Sequence, residues 1–183
     1  MREIPILFSG AMVRAILERG KSQTRRLINA GRPTERDRRG GIAAARPGDR
    51  LWVRETWYFC PRRSEFLYRA DRPEPKQPPA VLLGVAAKWR PSIFMPREAC
   101  RVELEVVATR VEHVQAMTEA DAIAEGIYEI TPGRWCWADA RPTRPDPVAA
   151  YARLWDEINP DDPWRTNPIV AVVTFGRREV DRA

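Results

Sequence analysis

Lysine is nearly missing from this chain: of its 31 basic residues only Lys21, Lys76 and Lys88 are lysines. Histidine is scarcer still, and a single His113 excludes imidazole-rich transition-metal constellations and any histidine-pair acid–base chemistry. The three cysteines, Cys60, Cys100 and Cys136, are odd in number and never spaced C-x-x-C, which argues against a disulfide framework and a zinc site. No metal or other cofactor is expected. No apolar run approaches the ~20 residues of a bilayer span. Met1-Arg2-Glu3 leads straight into a strand-like IPILF rather than a signal peptide, so a cytoplasmic protein with no membrane partner is expected.

At 183 residues and 44% apolar content, the sequence suits one core and one domain spanning 1–183. The formal charge of +6 favours anionic partners such as nucleotides or nucleic acid. The cluster Arg36, Arg38 and Arg39, inside a basic stretch from Asn29 to Arg46, suits phosphates.

Local patterns predict a short strand over Ile4–Phe8, then a helix N-capped by Ser9, carrying Met12, Val13, Ile16 and Leu17 at helical spacing and stopped by Gly20. Gln23–Ile28 reads as a strand whose period of two puts Thr24, Arg26 and Ile28 on one face and Arg25 and Leu27 on the other. After the turn Arg46-Pro47-Gly48-Asp49, LWVRETWYF predicts one strand with Leu51, Val53, Glu55, Trp57 and Phe59 on a common face. Phe66–Arg69 is a further candidate strand, and the four prolines within Asp71–Pro79 mark an irregular connection. Cys100–Val111 alternates, with Val102, Leu104, Val106 and Ala108 inward. Thr118-Glu119-Ala120-Asp121 is a capping box opening a helix that closes at Gly126. Asp146-Pro147 opens another, burying Val148, Tyr151, Ala152, Trp155 and Ile158, and Ile169–Phe175 is a central strand. Strands, long loops and a few short helices predict an α+β fold, a small mixed barrel or rolled sheet.

Hydrolysis by a nucleophile needs a base to activate it and an acid for the leaving group. Without a histidine pair the base falls to lysine or a carboxylate, since arginine holds its proton and lysine can release it. Lys21 is the lysine with hydroxyls nearby, at Ser22 and Thr24. Glu125, in the last turn of its helix, meets the negative end of the dipole, which favours the protonated, proton-donating form. Glu55 is a carboxylate within an apolar stripe.

These residues resemble a known signature. ILERGKSQTRR is similar to the I-L-x-G-[RK]-K-T-x-T-x-R stretch of the ASCH domains, relatives of the PUA RNA-binding domains, and in particular of the bacterial N4-acetylcytidine amidohydrolases. MTEADAIAEGI resembles their L-T-E-x-x-A-x-x-E helix, with the final glutamate at Glu125. Longer phage-encoded and environmental ASCH proteins are similar at PGDRLWVRETW and KWRPSIFMPR. The resemblance implies a PUA-like small β-barrel with short helices at its ends, with inserts near 29–46 and 59–96. It also implies Lys21 as proton acceptor, Thr24 as nucleophile and Glu125 as proton donor in a metal-free cleavage of acyl groups from N4 of cytosine, cytidine or deoxycytidine derivatives. Arg26 would hold the pyrimidine or polarise the carbonyl oxygen, Glu55 would bind substrate or hold Lys21, and Trp57 would stack on the base. Ser22, Gln23 and Arg25 depart from the pattern, the last two replacing apolar residues. The alternative is an RNA-binding PUA-like module, and after it a ribonuclease.

Overall fold

A computed structural model describes residues 1–28, 41–71, 88–137 and 144–178. The Arg36, Arg38 and Arg39 cluster and most of the proline-rich connection lie outside the described residues. The fold is mixed α+β. Its frame is a five-stranded sheet of β1 (Glu3–Leu7), β3 (Arg50–Arg54), β6 (Glu103–His113), β9 (Ile169–Arg178) and β2 (Gln23–Leu27), in that order, with only the β1–β3 pair parallel. Two hairpins stand apart, β4 (Trp57–Cys60) with β5 (Glu65–Tyr68), and β7 (Ile127–Thr131) with β8 (Arg134–Trp137).

Strand β9 explains its own apolar run. Val173 and Phe175 face a core shared with Ile4, Ile6, Leu51, Val53, Leu104, Val106 and helix α1 (Gly10–Glu18). Val170 and Val172 face a second core with Ile127, Trp155 and Tyr151 of helix α3 (Pro147–Ile158). A strand covered on both faces has no use for alternation. Ser9 caps α1, Thr118 and Asp121 form the reciprocal capping box of helix α2 (Glu119–Ala124), and Asp146 caps α3 ahead of Pro147.

Four expectations need correcting. No closed barrel forms among the described residues: β1 and β2 are the two edges of the sheet. Across that seam Arg26 Nη2 donates to Leu7 O at 3.2 Å and Nη1 to Arg25 O at 3.1 Å, so a guanidinium stands where ladder bonds would close the ring. The strand expected from Leu51 to Phe59 breaks at Glu55 and Thr56, where the chain leaves the main sheet for the β4–β5 hairpin, although Glu55 and Trp57 stay buried. A bulge between Val106 and Ala108 reverses the inward phase of β6 and leaves Ala108 exposed. Ile158, at the end of α3, is 47% exposed. The β7–β8 hairpin carried no clear alternation and went unanticipated.

The turn before β3 is pinned to the start of the chain. Asp49 accepts from Arg2 N at 2.9 Å, Arg2 Nε at 3.0 Å and Arg46 N at 3.1 Å. The side-chain hydrogen bond from Arg2, outweighing burial, holds the Asp49 carboxyl down at about 2 against an ordinary 3.8. A carboxyl depressed on folding stabilises above its unfolded value and loses that contribution as pH falls through its folded one. Asp49→Asn is therefore expected to be less stable than the parent at neutral pH, with the difference closing as pH drops from 3.8 towards about 2. Urea unfolding midpoints across that range check it, and a gap that persists in acid contradicts it.

Candidate active site

The short link between α1 and β2 ties two helix ends together. Gly20, at φ +73°, lets the chain turn, after which Lys21 N donates to Ala15 O at 3.0 Å and Ser22 N to Ala124 O at 2.9 Å. Ala124 O is a carbonyl left over at the end of α2, while Ala15 O, in the last turn of α1, also takes Arg19 N at 3.1 Å. Lys21 is thereby carried into the interior beside the end of α2, where Gly126, at φ +99°, turns the chain away.

The ammonium has three protons and three acceptors: Gln23 O at 2.7 Å, Glu125 O at 2.6 Å and Glu125 Oε2 at 2.8 Å. The side chains of Lys21 and Glu125 are 1% and 4% exposed. Burial is the largest influence on Lys21 and pulls its ammonium below the ordinary lysine range, outweighing the neighbouring Glu125 charge. Lys21 and Arg26 also share the face of Phe8, at 5.9 and 5.5 Å from the ring centre.

Glu125 accepts from one more donor: Arg25 Nη1 lies 3.2 Å from Oε1, and the Tyr151 phenol is close enough to feel the same carboxylate. Burial first, then the Glu125 charge, push Tyr151 well above an ordinary phenol, so it stays a donor. Thr24 is 1% exposed, opposite Val173, and its Oγ1 has no hydrogen-bond partner among the described residues. A buried hydroxyl with no partner costs ~1–3 kcal/mol of desolvation.

Glu125 opens onto a cavity of about 130 Å³, close to the ~150 Å³ that admits one benzene-sized ring. Arg25, Arg26 and Tyr151 line its polar side, and Met12, Trp137 and Leu154 its apolar side. The structure thus brings Lys21, Glu125 and Arg26 together in one region, but of the expected site residues only Glu125 and Arg26 border the cavity; Lys21 and Thr24, the latter on β2, do not. Glu55 and Trp57 lie elsewhere. Glu55 does not hold Lys21: it is clamped by Arg101, with Nε at 2.8 Å and Nη2 at 3.1 Å. Trp57 packs on Phe66 in the β4–β5 hairpin, and neither residue borders the cavity. Burial raises Glu55 above the ordinary carboxyl range against the opposing pull of Arg101.

Arg25 and Tyr151 are the site residues that sequence reasoning missed. Period two set Arg25 on the face away from Thr24, and Tyr151 read as ordinary helix core. The available signal was an arginine in place of an apolar residue inside a strand, since a buried guanidinium demands carboxylates.

Among the described residues no group of histidine, cysteine, aspartate and glutamate side chains could hold a metal ion, and no helix is long and apolar enough to cross a membrane. Comparison of the chain with protein-family models, curated proteins and solved structures returned no match.

Gly126 is the backbone hinge of the site. A Cβ there would meet Ala15 Cβ at 3.1 Å and Lys21 Cβ and Cδ at 3.5 Å, on a left-handed backbone. Gly126→Ala is expected to cost at least ~1–2 kcal/mol in urea unfolding. Unchanged stability would show that Lys21 is not packed against this turn.

Proposed function

We propose that the protein is a metal-free amidohydrolase that removes acyl groups from N4 of cytosine, cytidine or deoxycytidine derivatives, built on an ASCH-type, PUA-like fold. The observation that carries this reading is the buried Lys21–Glu125 pair at 2.8 Å, its lysine three residues before a buried Thr24 hydroxyl that has no hydrogen-bond partner among the described residues. The one-ring cavity bordered by Glu125 adds support. The mixed sheet is compatible with the α+β part of the ASCH resemblance, and Arg26 reaches across the gap between its edge strands.

One proton moving from Lys21 Nζ to Glu125 Oε2 turns the ion pair into an amine and a carboxylic acid, the forms that a base and a proton donor require. Burial works against the charged form of Lys21, so closing the cavity over a substrate favours proton transfer from it. Neutral Lys21 then takes the Thr24 hydroxyl proton as Oγ1 attacks the amide carbonyl carbon. As the carbon–nitrogen bond breaks, Glu125 protonates the departing N4, and the acyl group remains on Thr24 as an ester. Water hydrolyses the ester, releasing the carboxylic acid and restoring the hydroxyl. Arg26, on the cavity wall, faces the carbonyl oxygen as it gains charge, and Trp137 offers an aromatic surface to the pyrimidine.

Thr24→Val removes the hydroxyl and little else. Release of cytidine from N4-acetylcytidine is expected to fall at least ~100-fold, as is usual when a positioned proton-transfer partner is lost. Because Oγ1 has no partner among the described residues to strand, stability should hold or rise. Lys21→Arg should lose turnover to a similar degree, since guanidinium keeps its proton. Near-parental turnover in either variant overturns the assigned roles. Salt-sensitive retention of short RNA without any release of cytidine would replace this reading with the RNA-binding one.

A further inference from the structure

Arg25 is fully enclosed, its side chain 0% exposed. Nη1 donates to Gln23 Oε1 at 2.7 Å and Glu125 Oε1 at 3.2 Å; Nη2 donates to Glu112 Oε1 at 2.8 Å and lies 3.4 Å from Asp121 Oδ2. From the outer side Arg110 holds both carboxylates, Nε to Glu112 Oε2 at 2.7 Å and Nη2 to Asp121 Oδ1 at 2.8 Å, with its own side chain 40% exposed. Charge therefore alternates along one line from the interior to solvent: Lys21, Glu125, Arg25, then Glu112 with Asp121, then Arg110. Packing alone does not call for this line, because an apolar side chain fills a closed position with a smaller desolvation cost.

We infer that Arg25 is a positioning residue for the Lys21–Glu125 pair, and that Glu112 and Asp121, by countering its charge from behind, set the pH range in which the pair is competent. This rests on the amidohydrolase reading. Arg25 occupies Oε1 and leaves Oε2 to Lys21, which fixes the direction of the shared proton. Its charge favours the pair with fewer protons bound, and the two carboxylates behind it act in the opposite sense. The charged and titratable groups facing the pair are Arg25 and Arg26 from β2, Tyr151 from α3, Glu112 and Arg110 from β6, and Asp121 from α2. Glu112 and Asp121 each feel burial as an upward pull, overcome by hydrogen bonds from Arg110 and, respectively, from Arg25 and Thr118, so both remain carboxylates. Arg25 and the carboxylates behind it act on both members of the pair, so the two limbs of a pH–rate profile should move together.

The test is kcat/KM for N4-acetylcytidine against pH in the parent, Arg25→Met, Arg25→Lys and Glu112→Gln. Removing the cation should displace the whole bell towards alkali by ~1 pH unit, with a fall in kcat. Glu112→Gln, which keeps size and a hydrogen bond while removing the countering charge, should displace it towards acid. Arg25→Lys should keep the parental position. Lower rates with an unmoved bell, or two bells moving the same way, overturn the inference and leave the amidohydrolase reading standing. If Arg25→Met does not fold, the direction of the Glu112→Gln bell decides alone. If the parent releases no cytidine, the amidohydrolase reading falls, and the titration of Lys21 followed by NMR of its ε carbon decides the electrostatic part. Arg25→Met should then raise the Lys21 midpoint and Glu112→Gln lower it, and two midpoints equal to the parent's overturn it.

Discussion

Lys21 and Glu125 meet at 2.8 Å with their side chains 1% and 4% exposed, and much of the chain is arranged around that meeting. The lysine backbone closes α1, the next residue closes α2, and the ammonium occupies backbone carbonyls of β2 and of the residue that ends α2. Taking two charges out of water costs several kcal/mol per ion, which the attraction between them roughly offsets. A well-packed apolar pair would serve stability at least as well. The same burial brings a lysine towards neutrality, which is what proton abstraction requires of it.

The seam between β1 and β2 follows from the same cations. Edge strands offer unpaired carbonyls, and here Lys21 takes Gln23 O while Arg26 takes Arg25 O and Leu7 O. Pro5, with no N–H to contribute, lies in the β1 edge and discourages a ladder there. Side chains thus bridge the two edges and leave room beside Arg26 and Glu125 for a ring-sized guest. A ladder closed through this seam would occupy the carbonyls that now hold the cations.

Features set by neighbours in sequence were legible. Ser9, the Thr118–Asp121 box, the Asp146-Pro147 start and the turn at Gly126 each depend on a few adjacent residues, and each stands where local chemistry puts it. The continuous apolar run of β9 likewise announced a central strand, which the structure covers on both faces. Long-range partners were not legible. Glu55 was readable as a buried carboxylate, but its clamp, Arg101, lies 46 residues away, so substrate binding and support of Lys21 both remained open from sequence. Arg25 depends on carboxylates 87 and 100 residues distant, which period-two reasoning cannot supply. The break after β3 escaped notice because burial continues through Glu55 and Trp57 while hydrogen-bonding partners change.

The scarcity of lysine makes the central claim directly measurable. With ε-carbon-labelled lysine the protein gives three signals, from Lys21, Lys76 and Lys88, and substitution assigns the first. Followed against pH by NMR in the folded protein, the Lys21 signal should titrate below an ordinary lysine, because burial outweighs its pairing with Glu125. A Lys21 midpoint at or above the ordinary lysine value would mean an ammonium held by its ion pair, and would contradict its use as a base.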